Sequence, residues 1–295
     1  MKLQKAMKQQ VKLKVALSGP SGSGKTYSAL LMAYGICNDW NKIAVVDTEN
    51  FSASLYSHLG EFNVICLTEP FSPEKYIEAI KLCEKENMEV IIIDSISHEW
   101  SGKGGCLEIH ERETAKMRVP NSFAAWASVT PRHQQFLDAI IYSGCHIITT
   151  IRSKTDYVLT ERNGKTQPQK VGMAPITRDG FEYEVSVSFE LDCLHKAICS
   201  KDRTGLFIDK ETFQISVDTG KSLVNWCNEG EASQSISNRI SECRSIQELI
   251  QLYEQSLPMS NTLKGEFELQ KKRIMGSSSE NKIYNPQNFS QNGKH

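Results

Sequence analysis

Gly19-Pro20-Ser21-Gly22-Ser23-Gly24-Lys25-Thr26 fits the pattern G-x-x-x-x-G-K-[ST], with an alternating apolar run before it and a helical run, Tyr27 to Tyr34, after it. Such a loop turns successive backbone N–H groups toward one point at a helix N-terminus, where the peptide dipoles favour an anion. Gly19, Gly22 and Gly24 permit close backbone approach because no Cβ intervenes. Lys25 is spaced to reach the β- and γ-phosphates of a nucleotide, and the Thr26 hydroxyl to hold Mg²⁺.

A phosphate cradle hydrolyses nothing by itself; it needs a carboxylate that orders the metal and a base that takes a proton. Asp94 ends the run Val90-Ile91-Ile92-Ile93, the place of a Walker B carboxylate that binds Mg²⁺ through water. The next residue is Ser95, so no adjacent glutamate supplies the base. Glu49, two residues past the strand that ends at Asp47, is the expected base, able to orient water against the γ-phosphate. Glu99, in His98-Glu99-Trp100, is the second candidate. The blander readings, Asp94 as a strand cap and Glu49 as a solvated turn residue, stay open on the residues alone.

These side chains need a scaffold, and the hydrophobic pattern supplies one. Strands are expected at Val11–Leu17, Lys42–Asp47, Phe62–Leu67, Val90–Asp94 and Cys145–Ile151. Between them lie a helix capped by Ser72 with Pro73 at its first position, and another opened by Thr130-Pro131. Alternating β and α units predict an α/β fold with a mostly parallel sheet and helices on both faces. Ligands then sit at the carboxyl ends of the strands, where the loop, Asp47 and Asp94 converge. Residues 152–180 are polar and contain the hairpin signal Asn163-Gly164. Phe181–Leu191, Leu194–Cys199 and Gly205–Ile208 read as strands added antiparallel at the sheet edge. A linker is expected around Gly230–Ser235, then short amphipathic helices marked by Ile236, Ile240, Leu249 and Leu252. The expected organisation is a core over 1–229, a helical module over 230–275 and a disordered tail over 276–295.

The order of these pieces, with Ile147-Ile148-Thr149-Thr150-Ile151-Arg152, resembles the RecA-like recombinase core. It is most similar to small phage-encoded RecA-like P-loop ATPases, including the Sak group of single-strand annealing proteins. Val46-Asp47-Thr48-Glu49-Asn50, the segment Asp94 to Trp100 and the segment Ser200 to Phe207 carry the resemblance, which covers roughly residues 11–228. It implies ATP binding and hydrolysis with Mg²⁺, Glu49 as catalytic glutamate and Asp94 as Walker B aspartate. It further implies action on single-stranded DNA, by a homo-oligomer with ATP at its subunit interfaces. Thr150 stands where recombinases usually carry a glutamine that senses the γ-phosphate, and its hydroxyl reaches less far. Lys201 and Arg203 match a basic pair that crosses to the neighbour's ATP, where an arginine stabilises charge on the transferring phosphate. Exposed edge-strand charges are the alternative for that pair.

Residues 152–178 correspond to the second DNA loop of that family and hold Arg152, Lys154, Arg162, Lys165, Lys170 and Arg178 with Tyr157 among them. Cations that track phosphate and a ring that stacks a base suit a single strand, with an ordinary solvated hairpin as the alternative. Ser101-Gly102-Lys103-Gly104-Gly105, with Arg112, Lys116 and Arg118 beyond it, corresponds to the first loop. Trp100 and Trp126 are read as core residues, with base stacking as the alternative.

The net charge of −1 assigns any affinity for nucleic acid to a local patch rather than the whole surface. No apolar run approaches the ~20 residues of a membrane span. Nine cysteines without a C-x-x-C pair read as reduced thiols of a cytoplasmic protein. Cys193-x-His195-x-x-x-Cys199 lacks a second ligand pair and is not read as a metal site. A P-loop kinase for a small molecule and a nucleotide-gated DNA-binding module are the competing functions. The first would need an arginine-rich lid, which the run of edge strands does not offer.

Overall fold

A strand buried on both faces must be apolar throughout, and β4 (Val90–Asp94) has that character, with all five residues buried. It lies at the centre of a sheet with β1 (Lys14–Gly19), β2 (Ile43–Asp47), β3 (Asn63–Cys66) and the first part of β5 (His146–Arg162). The computed structural model describes residues 11–162, 165–256 and 263–280, with the backbone alone for 155–172, 229–235 and 276–280. With β7 (Val187–Leu191) and β8 (Ala197–Asp202) the strand order is β3-β2-β4-β5-β1-β7-β8. Every pairing from β3 to β7 is parallel, and β8 closes the edge antiparallel to β7. The structure is therefore the mostly parallel α/β fold that the strand pattern predicts.

Helices α2 (Pro73–Lys85) and α5 (Ser122–Tyr142) cover one face. There Tyr76, Ile80, Phe136 and Ile140 pack on Val46, Ile91, Ile93 and Ile147. Alternation along the strands turns Val45, Ile92 and Ile148 to the opposite face, where α1 (Lys25–Cys37) lies against β1, β2, β4 and β5. β5 runs on beyond the sheet and pairs antiparallel with β6 (Lys165–Pro175), so Arg162 faces Lys165 across the expected turn. Asn163 and Gly164 themselves lie outside the described residues.

Several expectations change. α5 begins at Ser122, capped by the Asn121 side chain, which accepts from the Ala124 N–H at 3.0 Å. Pro131 is thus inside the helix, where a lost N–H costs about 3 kcal/mol. The offset is burial of Ala125 and Val129, the latter against Cys106 and Ile109 of α4 (Cys106–Lys116). Phe181–Leu191 is not one strand: α6 (Phe181–Glu184) precedes β7, and the buried Phe181 and Val185 stand at a helical spacing of four. β7 joins β1 in parallel rather than antiparallel. Gly205–Ile208 is a turn, because the Asp202 carboxylate takes the N–H groups of Thr204 and Phe207, both at 2.7 Å. Once those donors point to a carboxylate they cannot serve a ladder.

The chain divides into a unit spanning Val11–Trp226 and a second that begins at Cys227. The stretch read as a linker is helical backbone within α7 (Val217–Glu242). In the second unit, Ile236 and Ile240 cluster with Leu249 and Leu252 of α8 (Ile246–Gln255) and Phe267 and Ile274 of α9 (Lys264–Glu280). α9 continues five residues into the stretch read as a tail, and residues 281–295 lie outside those described. Among the described residues no helix is long and apolar enough to cross a membrane. None of the nine cysteines, all among the described residues, is in a disulfide.

Candidate functional site

Parallel strands in register bring their last residues to one edge. Gly19 pairs with Arg152, Leu17 with Thr150 and Asp47 with Asp94, so β1, β4 and β2 end beside the point where β5 leaves the sheet. A pocket of about 440 Å³ opens there, lined by Gly22, Gly24, Lys25, Thr26, Glu49 and Asp94 among others. The loop and both carboxylates singled out in the sequence therefore share one site.

Gly24 takes the left-handed conformation, φ 83°, immediately before α1. The imidazole of His195 lies so close that a Cβ on Gly24 would stand 3.1 Å from its Nδ1. The Lys25 ammonium donates to the carbonyls of Gly19 at 2.9 Å and Pro20 at 2.8 Å. Burial holds it below the usual lysine range, with Asp94 and Glu49 opposing. The fully buried Ser23 hydroxyl has no partner among the described residues. A buried polar atom of that kind costs free energy unless something meets it, so the loop fits a ligand rich in acceptor oxygens.

Asp94 is the electrostatic centre. Thr26 Oγ1 donates to its Oδ2 at 2.6 Å, and Thr150 Oγ1 donates to its Oδ1. Burial pushes this carboxyl above the usual range, against those two hydroxyl donors. A cation would relieve that penalty, and Thr26 with Asp94 is a hard-oxygen pair suited to Mg²⁺. Thr150 is completely buried and its hydroxyl is committed to Asp94. At the position where recombinases usually carry the sensing glutamine, its hydroxyl thus meets that carboxylate.

Asp47 is also completely buried, but its role is architectural. Its Oδ1 accepts from the Glu49 N–H at 2.6 Å and its Oδ2 from the Ala53 N–H at 2.7 Å. The carboxylate thereby folds the turn that presents Glu49. Thr48 ties the turn to the neighbouring strand, its N–H donating to the Asp94 carbonyl at 2.8 Å and its hydroxyl meeting His98 Nδ1 at 2.6 Å. Burial, then the Arg152 charge, lower the His98 pKa.

Glu49 is bound by Arg152, which reaches Oε1 with Nε at 3.1 Å and also with Nη2. Arg152 therefore lines the nucleotide pocket, although the sequence places it with the DNA loop. The signal was its period-two relation to Thr150 on β5, which sends both toward the site. His195, Tyr27 and Tyr56 also line the pocket and were missed. His195 comes from the β7–β8 turn, and nothing in its sequence context announced that contact.

Glu99 does not reach this pocket. It is buried against Cys106 and His133, which removes it as an alternative base. Lys201 donates to the carbonyls of Glu182 and Tyr183 at 2.6 and 2.7 Å, and Arg203 to Tyr183 at 2.8 Å. Neither lines the chain's own nucleotide pocket.

The Ser101–Gly105 segment is a tight turn: a Cβ on Gly105 would meet the Glu99 carbonyl at 2.6 Å. Lys103 pairs with Glu69 at 2.7 Å, Lys116 with Glu113 at 2.6 Å, and Arg112 with Glu108. Trp100 and Trp126 stack on each other at 5.6 Å, and Arg178 lies 5.7 Å over Trp126. They border an open groove of about 1070 Å³ with Phe123, which is 90% exposed, and Lys154. Arg162, Lys165 and Lys170 lie on the β5–β6 hairpin where the backbone alone is described.

No curated protein sequence matches this chain. Among solved structures it is similar to a KaiC-like protein of the hyperthermophilic archaeon Pyrococcus horikoshii OT3, at 16% identity and a TM-score of 0.40. That match covers 70% of this chain and 87% of the archaeal one. A sequence profile of the AAA domain family matches residues 11–219, which takes in the P-loop and every residue that lines the pocket, up to His195. The chain belongs to the AAA domain family and is a P-loop ATPase of that family.

Proposed function

We propose that this ATPase acts on single-stranded DNA as an assembly, with each nucleotide held by one chain and completed by Lys201 and Arg203 of the next. The observation that carries the hydrolytic part is the grouping of Lys25, Thr26, Asp94 and Glu49 on one pocket. Lys25 and Ser23 would hold phosphate oxygens, and Thr26 with Asp94 would hold Mg²⁺. When bound, magnesium neutralises charge on the phosphates. Glu49 orients a water in line with the γ-phosphate and accepts its proton. Arg152 fixes that carboxylate before catalysis.

The DNA part is supported by the groove that carries Phe123, Trp126, Lys154 and Arg178, an aromatic surface with cations beside the β5–β6 hairpin. Aromatic platforms with cations suit unpaired bases, each stacked base contributing about 1–3 kcal/mol. The direct test is ATP turnover with and without single-stranded DNA, on protein of measured oligomeric state. Stimulation by single strands supports the reading. DNA binding with negligible turnover would instead favour the nucleotide-gated binder, for which the commitment of Thr150 to Asp94 speaks.

A further inference from the structure

Glu99, Cys106 and His133 are 1%, 0% and 2% exposed and play no part in the nucleotide pocket. They come from three helices: α3 (Ser97–Ser101), the first residue of α4, and the middle of α5. Cys106 Sγ lies 3.0 Å from Glu99 Oε1, His133 Nδ1 lies 3.0 Å from the same oxygen, and sulfur and nitrogen are 4.0 Å apart. We propose that these three side chains are a transition-metal site of the class that takes zinc.

Sulfur, imidazole and carboxylate together select a borderline-soft dication over magnesium or calcium. Bonds of about 2.0–2.3 Å at tetrahedral angles put ligand atoms about 3.3–3.6 Å apart, and the observed separations bracket that range. A thiolate, a carboxylate, a neutral imidazole and a dication sum to zero charge, which a buried site requires. Three protein ligands leave one tetrahedral position for water. A small apolar cluster of Cys106, Ile109 and Val129, with Trp100 and Trp126 beside it, borders the trio, and the His133 ring lies 6.4 Å from that of Phe136. A metal would tie α3, α4 and α5 to one another through these three side chains. The rival is a metal-free trio in which the Cys106 thiol, pushed up by burial and by Glu99, keeps its proton and donates it to the carboxylate.

The test is the metal content of the full chain after growth with zinc and gel filtration, followed by the zinc-edge absorption spectrum. About one zinc per chain with a single sulfur donor is expected. Cobalt exchanged into the site should give a thiolate charge-transfer band that Cys106→Ser and His133→Ala abolish and Cys145→Ser leaves intact. Less than about 0.1 metal per chain, a shell with no sulfur or several, or a band indifferent to Cys106→Ser overturns the proposal. The wild-type absorption spectrum decides the matter even if the cluster variants fail to fold.

Discussion

Glu49→Gln separates binding from chemistry at the nucleotide pocket. Among the described residues the carboxylate is held by Arg152 alone, through Nε at 3.1 Å and through Nη2. The two side chains are 41% and 36% exposed, so solvent screening keeps the pair to about 0.2–1 kcal/mol. Glutamine has the same volume and keeps an oxygen for Arg152. Stability and ATP binding should each move by less than about 1 kcal/mol, or about fivefold in Kd. The amide cannot take a proton from water, and loss of a general base costs about 10²–10⁴ in kcat, which is about 3–5 kcal/mol of barrier. The assay pairs displacement of a fluorescent ATP analogue with single-turnover hydrolysis on the same preparation. Turnover within about tenfold of wild type would refute the role of Glu49 as base. An ATP affinity reduced by more than about thirtyfold, roughly 2 kcal/mol, would move Glu49 from chemistry to binding.

Lys25→Ala removes the only side-chain cation of the loop, and two charge-assisted contacts to phosphate are worth about 3 kcal/mol or more. ATP affinity should fall at least about a hundredfold while the unfolding temperature without nucleotide changes little, read by calorimetry. Arg203→Ala should bind ATP normally, since Arg203 does not line its own pocket, and lose about 10³-fold or more in turnover. Mixing it with Glu49→Gln chains should restore activity; normal hydrolysis by Arg203→Ala alone would remove the idea of an arginine supplied by a neighbour. His146 Nδ1 accepts the Leu13 N–H at 3.1 Å, and burial lowers its pKa to about 4. The unfolded chain takes up that proton near pH 6.5, so stability falls as pH drops from about 6.5 to about 4, by roughly 3 kcal/mol in all. Urea unfolding across that window should show the slope, and His146→Gln should flatten it.

Much of this site is local and therefore readable from the chain. Gly19 to Thr26 declares itself because phosphate binding by backbone N–H groups needs glycine, lysine and a hydroxyl at fixed offsets within one turn. Asp94 declares itself because a carboxylate after four buried aliphatic residues has few other reasons to be there. The parallel sheet follows from the alternation of strand and helix patterns, and with it the edge where the ligands gather. The misreadings have local causes as well. Asp202 converts a strand-like run into a turn, and Pro131 is carried inside a helix by burial around it.

What the sequence determined is that Gly19 to Thr26 has the pattern of a phosphate-binding loop and that Asp94 and Glu49 belong beside it. Only the tertiary structure decided who holds whom. It gives Arg152 to Glu49, Thr150 to Asp94, His195 to the P-loop, and Glu99 to Cys106 and His133. These pairs join residues brought together by strand register and helix packing across long stretches of chain. No period of two or 3.6 along one segment encodes which side chain of another segment it will meet.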